Sequence, residues 1–198
     1  MNTMTHLLAL PLRRFFLPAL LAMAAPICLP TTGLADEEPA EKTQPTQVEV
    51  FGEMMEVPAA FKVAKKQSQM LSHEFQASKD DKNARVTMMK ASGSVSANVS
   101  RWKMQFGKVE KENFKQEEKK IGKFKVVTVD IMDGSYGERV GGGPMFGGKK
   151  VQRKNYSMAA AIIMDSSERK FFIKMIGPAD VVKANREAFD KMLESLND

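Results

Sequence analysis

The sequence predicts an α+β fold, an antiparallel sheet of about six to eight strands packed with two main helices. Three observations predict it. Apolar residues alternate at period two through several segments between Val48 and Ile176. Short polar turns at residues 79–83, at Gly122 and at residues 165–168 join these segments in pairs, as hairpins require. Two other segments carry apolar residues at helical spacing instead. A doubly wound nucleotide fold needs helices between parallel strands, and this order of elements argues against it.

The elements follow in order. Residues 1–35 read as a removable secretory signal. Arg13 and Arg14 supply the positive end, residues 15–25 a short apolar run, and Gly33 and Ala35 the small side chains before a cut near Ala35. The run is shorter than the roughly 20 apolar residues that span a bilayer. Arg13-Arg14-Phe15-Phe16-Leu17 resembles the twin-arginine signal, with Leu12 where Ser or Thr is usual and Pro18 where Lys is common. The ordinary secretory route and the twin-arginine route both stay open. Residues 36–46, acidic and punctuated by proline, read as a flexible linker, and residues 47–198 as a single domain.

Within that domain, Val48 and Val50 open a first strand. Residues 70–77 put Leu71, His73, Phe75 and Ala77 on one face, and residues 85–91 return as the hairpin partner. Val95, Val99, Trp102 and Phe106 form the stripe of a helix that Ser94 or Ser96 caps and Gly107 ends. Residues 114–121 and 124–132 form a second hairpin turning at Gly122, and residues 156–164 and 170–176 a third. Residues 157–164 are apolar at nearly every position, which predicts a central strand covered on both faces. One last helix is expected from Pro178 to about Leu196, with Val182, Phe189, Met192, Leu193 and Leu196 on its buried side.

Composition narrows the chemistry. The chain has one cysteine, Cys28, inside the signal, and two histidines, of which only His73 lies beyond it. A cysteine nucleophile, a redox dithiol and a multi-histidine metal site are therefore excluded from the exported domain, and no cofactor is expected. Thr46 to the C-terminus holds 27 Lys plus Arg against 20 Asp plus Glu. Such a basic domain suits an anionic surface (lipid, polysaccharide) or an acidic envelope protein, whereas nucleic acid is a poor partner outside the cytoplasm. The many methionines read as core filling rather than a thioether copper site.

The most unusual stretch is residues 141–150, Gly-Gly-Gly-Pro-Met-Phe-Gly-Gly-Lys-Lys. Residues 143–149 nearly spell a phosphate-binding loop, but Lys150 stands where the magnesium-binding hydroxyl belongs, and a strand rather than a helix follows. The stretch reads instead as a mobile loop with an apolar tip, Met145 and Phe146, and a basic collar of Lys149, Lys150, Arg153 and Lys154. These six residues are the candidate binding site. No catalytic or metal-ligating residue is assigned. His73 with an acid, or two carboxylates meeting in space, would make a hydrolase, and that reading is the enzymatic alternative.

Residues 99–106 (Val-Ser-Arg-Trp-Lys-Met-Gln-Phe), 156–163 (Tyr-Ser-Met-Ala-Ala-Ala-Ile-Ile) and 171–178 (Phe-Phe-Ile-Lys-Met-Ile-Gly-Pro), with Ala188, Phe189, Met192 and Leu193, resemble exported proteins of planctomycete-like bacteria. Their fold is similar to the PsbP and Mog1 group. The resemblance covers most of residues 47–196 and implies a sandwich of sheet and helices. PsbP-like proteins are accessory subunits of photosystem II and Mog1 binds a small GTPase, so the resemblance implies a binding module and carries neither partner's site over. The expectation is thus an exported, non-catalytic binding or accessory protein of the cell envelope, with a hydrolase or a structural envelope protein as alternatives.

Overall fold

The computed structural model describes residues 46–141 and 148–197. The candidate signal, all of the candidate linker except Thr46, and the loop tip with Met145 and Phe146 lie outside the described residues. Nine strands form two sheets. β1 (Thr46–Val50) and β2 (Glu53–Val57) make a small hairpin, so Thr46 belongs to a strand rather than to the linker. The other seven are β3 (Phe61–Val63), β4 (His73–Lys79), β5 (Lys82–Ala91), β6 (Phe114–Ile121), β7 (Phe124–Val140), β8 (Lys149–Met164) and β9 (Lys170–Pro178). They form one antiparallel sheet in the order β3-β4-β5-β9-β8-β7-β6. The fold is therefore α+β as expected. The main sheet, with seven strands, falls within the expected six to eight; β2 and the three-residue β3 are the strands that alternation does not pick out.

All three expected hairpins form. β4 and β5 turn at Asp80-Asp81, β6 and β7 at Gly122-Lys123, and β8 and β9 across residues 165–169. The last turn is tied by the Asp165 carboxylate, which accepts from the Ser167 and Arg169 amides at 3.0 and 2.9 Å. Gly122 has φ +52°, and a Cβ there would lie 2.6 Å from the Leu196 carbonyl oxygen. Its amide donates to Asn197 Oδ1 at 3.0 Å, so the C-terminus is seated on this turn. β8 is interior, and Ser157 to Met164 are all buried.

Alternation divides the core in two. Phe75, Val86, Met88, Ala161, Ile163 and Phe171 face one side, where β1–β2 and the C-terminal helices close over them. Val127, Val129, Ile131, Met158, Ile162 and Phe172 face the other, beneath α1 (Val95–Gln105). α1 forms as its stripe predicts. Ser94 Oγ accepts from the Ala97 amide at 3.2 Å as the N-cap, and Val99, Trp102 and Phe106 are buried. The Trp102 ring meets Phe172 edge-on at 5.2 Å.

The single helix expected after Pro178 is two, α2 (Ala179–Ala184) and α3 (Arg186–Glu194), with a final 3-10 turn, Ser195–Asn197. The break is at Asn185, which is buried. Its amide donates to the Ser78 carbonyl at 3.1 Å and the Val181 carbonyl at 2.9 Å. The side chain ties this joint to the end of β4, while the Asn185 backbone keeps helical bonds to Val181 and Phe189, so the two helices meet with only one residue between them. The expected apolar side survives the break, since Val182, Phe189, Met192, Leu193 and Leu196 are all buried.

β7 and β8 run on past the rest of the sheet. β9 ends at the pair Tyr156–Pro178, beyond which β7 and β8 pair only with each other, out to Val140–Lys149. Two bulges bend this arm. Register shifts flank Gly134, and Asp133 and Asn155 take φ of +49° and +54°. One extra residue on each strand cancels the other, so alternation resumes while the ribbon twists. At Gly134 a Cβ would lie 2.7 Å from Phe106 Cδ1, so the arm packs on the end of α1 only because that position is glycine.

Candidate functional site

α1 covers only part of its face. On β9 and β5 the residues that continue this face are Lys174, Ile176, Arg85 and Thr87, and the bent arm stands beside them. Between α1, the sheet and the arm is a cleft of about 600 Å³. Five cations line it (Arg85, Arg101, Arg139, Lys150 and Lys174), with Glu138 the one carboxylate among its described lining residues.

Each cation has a definite origin. Arg85 projects from β5, and its Nε and Nη2 donate to Glu74 Oε1 and Oε2 at 2.6 and 3.1 Å. Glu74 lies on the neighbouring β4 with its side chain 3% exposed. Burial raises the Glu74 carboxyl, but the Arg85 fork, the Gln67 amide and the Arg85 charge together outweigh it and hold the group below the usual carboxylate value. Arg101 sits on the exposed side of α1, and its Nη2 donates to the neutral Asn98 Oδ1 at 2.7 Å. The Asn98 amide is held in turn by the Ser92 and Ser94 carbonyls at 3.0 and 2.8 Å. The helix cap and the cleft are thus one hydrogen-bonded unit.

Lys174 is the most unusual member. It is half-buried in a strand whose one other charged residue is Lys170 at its start, and its Nζ lies 5.7 Å from the centre of the Trp102 ring. Burial, then the charges of Arg85 and Arg101, pull its ammonium below the usual lysine value, and no acid contributes to offset them. Lys150 reaches the cleft from the arm by crossing Gly137. A Cβ at Gly137 would collide with the Lys150 Cε.

Two tyrosines form the remaining wall. The Tyr136 and Tyr156 rings stack at 6.1 Å with 5° between their planes, and Tyr136 also meets Phe106 at 5.1 Å. Burial, then the Glu138 charge, raises the Tyr136 phenol, which stays a neutral hydrogen-bond donor through the ordinary pH range. Gln105, at the end of α1, also lines the cleft. Its Oε1 is buried without a hydrogen-bond partner among the described residues.

Of the four nominated residues that the structure describes, one lines this site. Lys150 lines the cleft, while Lys149 and Lys154 are exposed on β8 away from it. Arg153 donates its Nε to Glu138 Oε2 at 2.8 Å, so it neutralises the acid of the cleft. Met145 and Phe146 lie outside the described residues. Lys149, Lys150, Arg153 and Lys154, read as the collar of a loop, belong to a strand. Residues 149–154 belong to neither core, so period-two burial leaves no mark on their sequence. Sequence reasoning missed Arg85, Arg101, Arg139 and Lys174. For Lys174 a signal existed: a lysine interrupts Phe171-Phe172-Ile173-Lys174-Met175-Ile176, on the face of Phe172 and Ile176.

The groups of the enzymatic alternative are placed elsewhere. His73 stacks on Phe75 at 6.3 Å and shares a shallow hollow with Glu49, but no hydrogen bond joins the two. Burial, then the Lys66 charge, lowers its pKa. Asp130 and Asp190 do meet, but on the guanidinium of Arg186, which bridges them at 2.9 and 2.5 Å. Among the described residues no three His, Cys, Asp or Glu are grouped to hold a metal, and no helix is long and apolar enough to cross a membrane. No protein-family model matches the chain, and no curated protein matches it either.

Proposed function

We propose that the protein is an exported, non-catalytic binding module of the cell envelope that captures anionic ligands in the cleft beside α1. The observation that carries this reading is the charge of the cleft: five lining cations face one lining carboxylate, and that carboxylate is already engaged by Arg153. Clefts lined by one sign of charge concentrate the opposite sign, and low-dielectric walls sharpen the effect. Lys174 lines this cleft half-buried, over the Trp102 ring, with the charges of Arg85 and Arg101 acting on it, so an arriving anion relieves their repulsion. The N-terminal arginines, apolar run and small residues before position 36 support export. The antiparallel sheet with helices on it supports the PsbP and Mog1-like reading of the fold, and with it a binding role.

Titrating the protein with inorganic phosphate, citrate and glucuronate while following thermal unfolding tests the reading. At least one anion is expected to raise the melting temperature in a saturable way, and Arg101→Glu, a change on an exposed helix position, is expected to abolish that rise. A response that survives Arg101→Glu rejects it, as does a melting temperature indifferent to all three anions in a protein that also fails to bind anionic vesicles.

A further inference from the structure

The ligand class can be narrowed from the inner end of the cleft, an inference that rests on the anion-binding reading. Arg85, Arg101 and Lys174 all line the cleft, the charges of the two arginines act on Lys174, and among the described residues the one acid bonded to any of them is Glu74. Three positive charges against one negative leave an excess of two. A single carboxylate would cancel half of it. A phosphomonoester, which carries about −1.5 to −2 near neutral pH, cancels most or all of it.

The donors point the same way. Glu74 occupies the Nε and Nη2 edge of Arg85, leaving Nη1; Asn98 occupies Nη2 of Arg101, leaving Nε and Nη1; the Lys174 ammonium has no acid partner among the described residues. Three separate cationic donors suit three terminal oxygens around one phosphorus. A planar carboxylate is already satisfied by the fork of one guanidinium. Gln105 adds an independent requirement. Its buried, unpartnered Oε1 gains a hydrogen bond by turning toward a donor in the cleft.

We propose that the cleft binds the phosphoryl group of a phosphomonoester through Arg85, Arg101 and Lys174, with Gln105 accepting from a hydroxyl of the esterified alcohol. The stacked Tyr136 and Tyr156 rings and Met104 form the apolar wall along which that alcohol lies. The phosphoryl group belongs to a soluble ester or to a lipid headgroup, and both present the same terminal oxygens.

Isothermal titration of the full chain with glucose 6-phosphate, inorganic phosphate and glucuronate, beside flotation with vesicles containing phosphatidic acid, tests the proposal. Glucose 6-phosphate is expected to bind at least about tenfold more tightly than glucuronate, the span of one or more charged hydrogen bonds. Lys174→Met is expected to weaken glucose 6-phosphate on the order of tenfold to a hundredfold while raising the melting temperature, because it removes a buried cation and keeps the packing volume. Arg101→Leu, on the exposed side of α1, is expected to weaken it similarly. Binding to the vesicles with no binding of the soluble ester supports the phosphoryl group and assigns it to lipid; the reverse assigns it to solution. Glucuronate binding as tightly as glucose 6-phosphate, or affinity unchanged by Lys174→Met, overturns this proposal and leaves the anion-binding reading standing. Silence from every anion and from the vesicles overturns both.

Discussion

On β9, Phe171, Ile173 and Met175 point to the face closed by α2, α3 and β1–β2, while Phe172, Lys174 and Ile176 point to the face under α1. One strand thus supplies both a dry interior and a charged cleft, through nothing more than the alternation of its side chains. The difference lies in the cover. Two helices and a hairpin seal the first face, so every position there can be apolar. A single eleven-residue helix covers the second, and the strands it leaves bare carry Arg85, Thr87 and Lys174. Burial is uniform where cover is complete. Polar side chains gather where cover stops, and there they are held by partners across the sheet, as Arg85 is by Glu74.

Substitutions on the two faces should therefore separate stability from binding. The largest loss is expected from Phe189→Ala on the sealed face, about 3–5 kcal/mol in chemical unfolding, because a fully buried ring leaves a cavity that its neighbours cannot fill. Anion affinity measured on the folded fraction should not change, and a change would mean that the faces are coupled. Glu74→Gln is expected to cost about 2 kcal/mol, since a nearly buried carboxylate loses a forked charged bond. It also releases Arg85, so anion binding should tighten. The same carboxyl has its pKa lowered on folding, so its contribution is complete above the usual carboxylate range and is lost as pH falls through the folded value. An acid unfolding limb as steep in Glu74→Gln as in the wild type would remove Glu74 as its source. The smallest effect is expected from Ser94→Ala, about 1 kcal/mol, by loss of the α1 cap. Because Asn98, which steadies Arg101, bonds to the Ser94 carbonyl rather than its hydroxyl, binding should persist, and amide exchange confined to the first turn of α1 would show the fraying.

Much of this was legible in the sequence because it is local. The hairpins at residues 80–81 and 122–123 follow from turn chemistry between alternating runs, and α1 from a stripe and a serine cap. What was illegible is distant. The joint between α2 and α3 lies at Asn185, whose side chain bonds Ser78, a residue in another element. Glu74 alternates onto the polar face as expected, yet it is buried because Arg85 and the Gln67 amide close over it. Lys150 was nominated for its neighbours in sequence and belongs to the cleft for another reason, the room that Gly137 leaves. Arg85, Arg101 and Lys174 come from three elements, and no spacing along the chain announces that they meet.

β9 lies between β5 and β8, and it alone joins β3-β4-β5 to β6-β7-β8. Each of those triplets is a run of consecutive hairpins able to form as it is synthesised. Neither can complete its half of either core until residues 170–178 arrive, because the partner of Ala91 is Lys170. Formation of the domain is therefore a late event, with the long loop closure that slows folding concentrated in one seam. Until that seam closes, β5 and β8 are two open edges rich in apolar residues, each a template for the wrong neighbour. A chain cut or stalled before Lys170 would be not a smaller version of this protein but two sticky meanders, and keeping them apart falls to whatever escorts it.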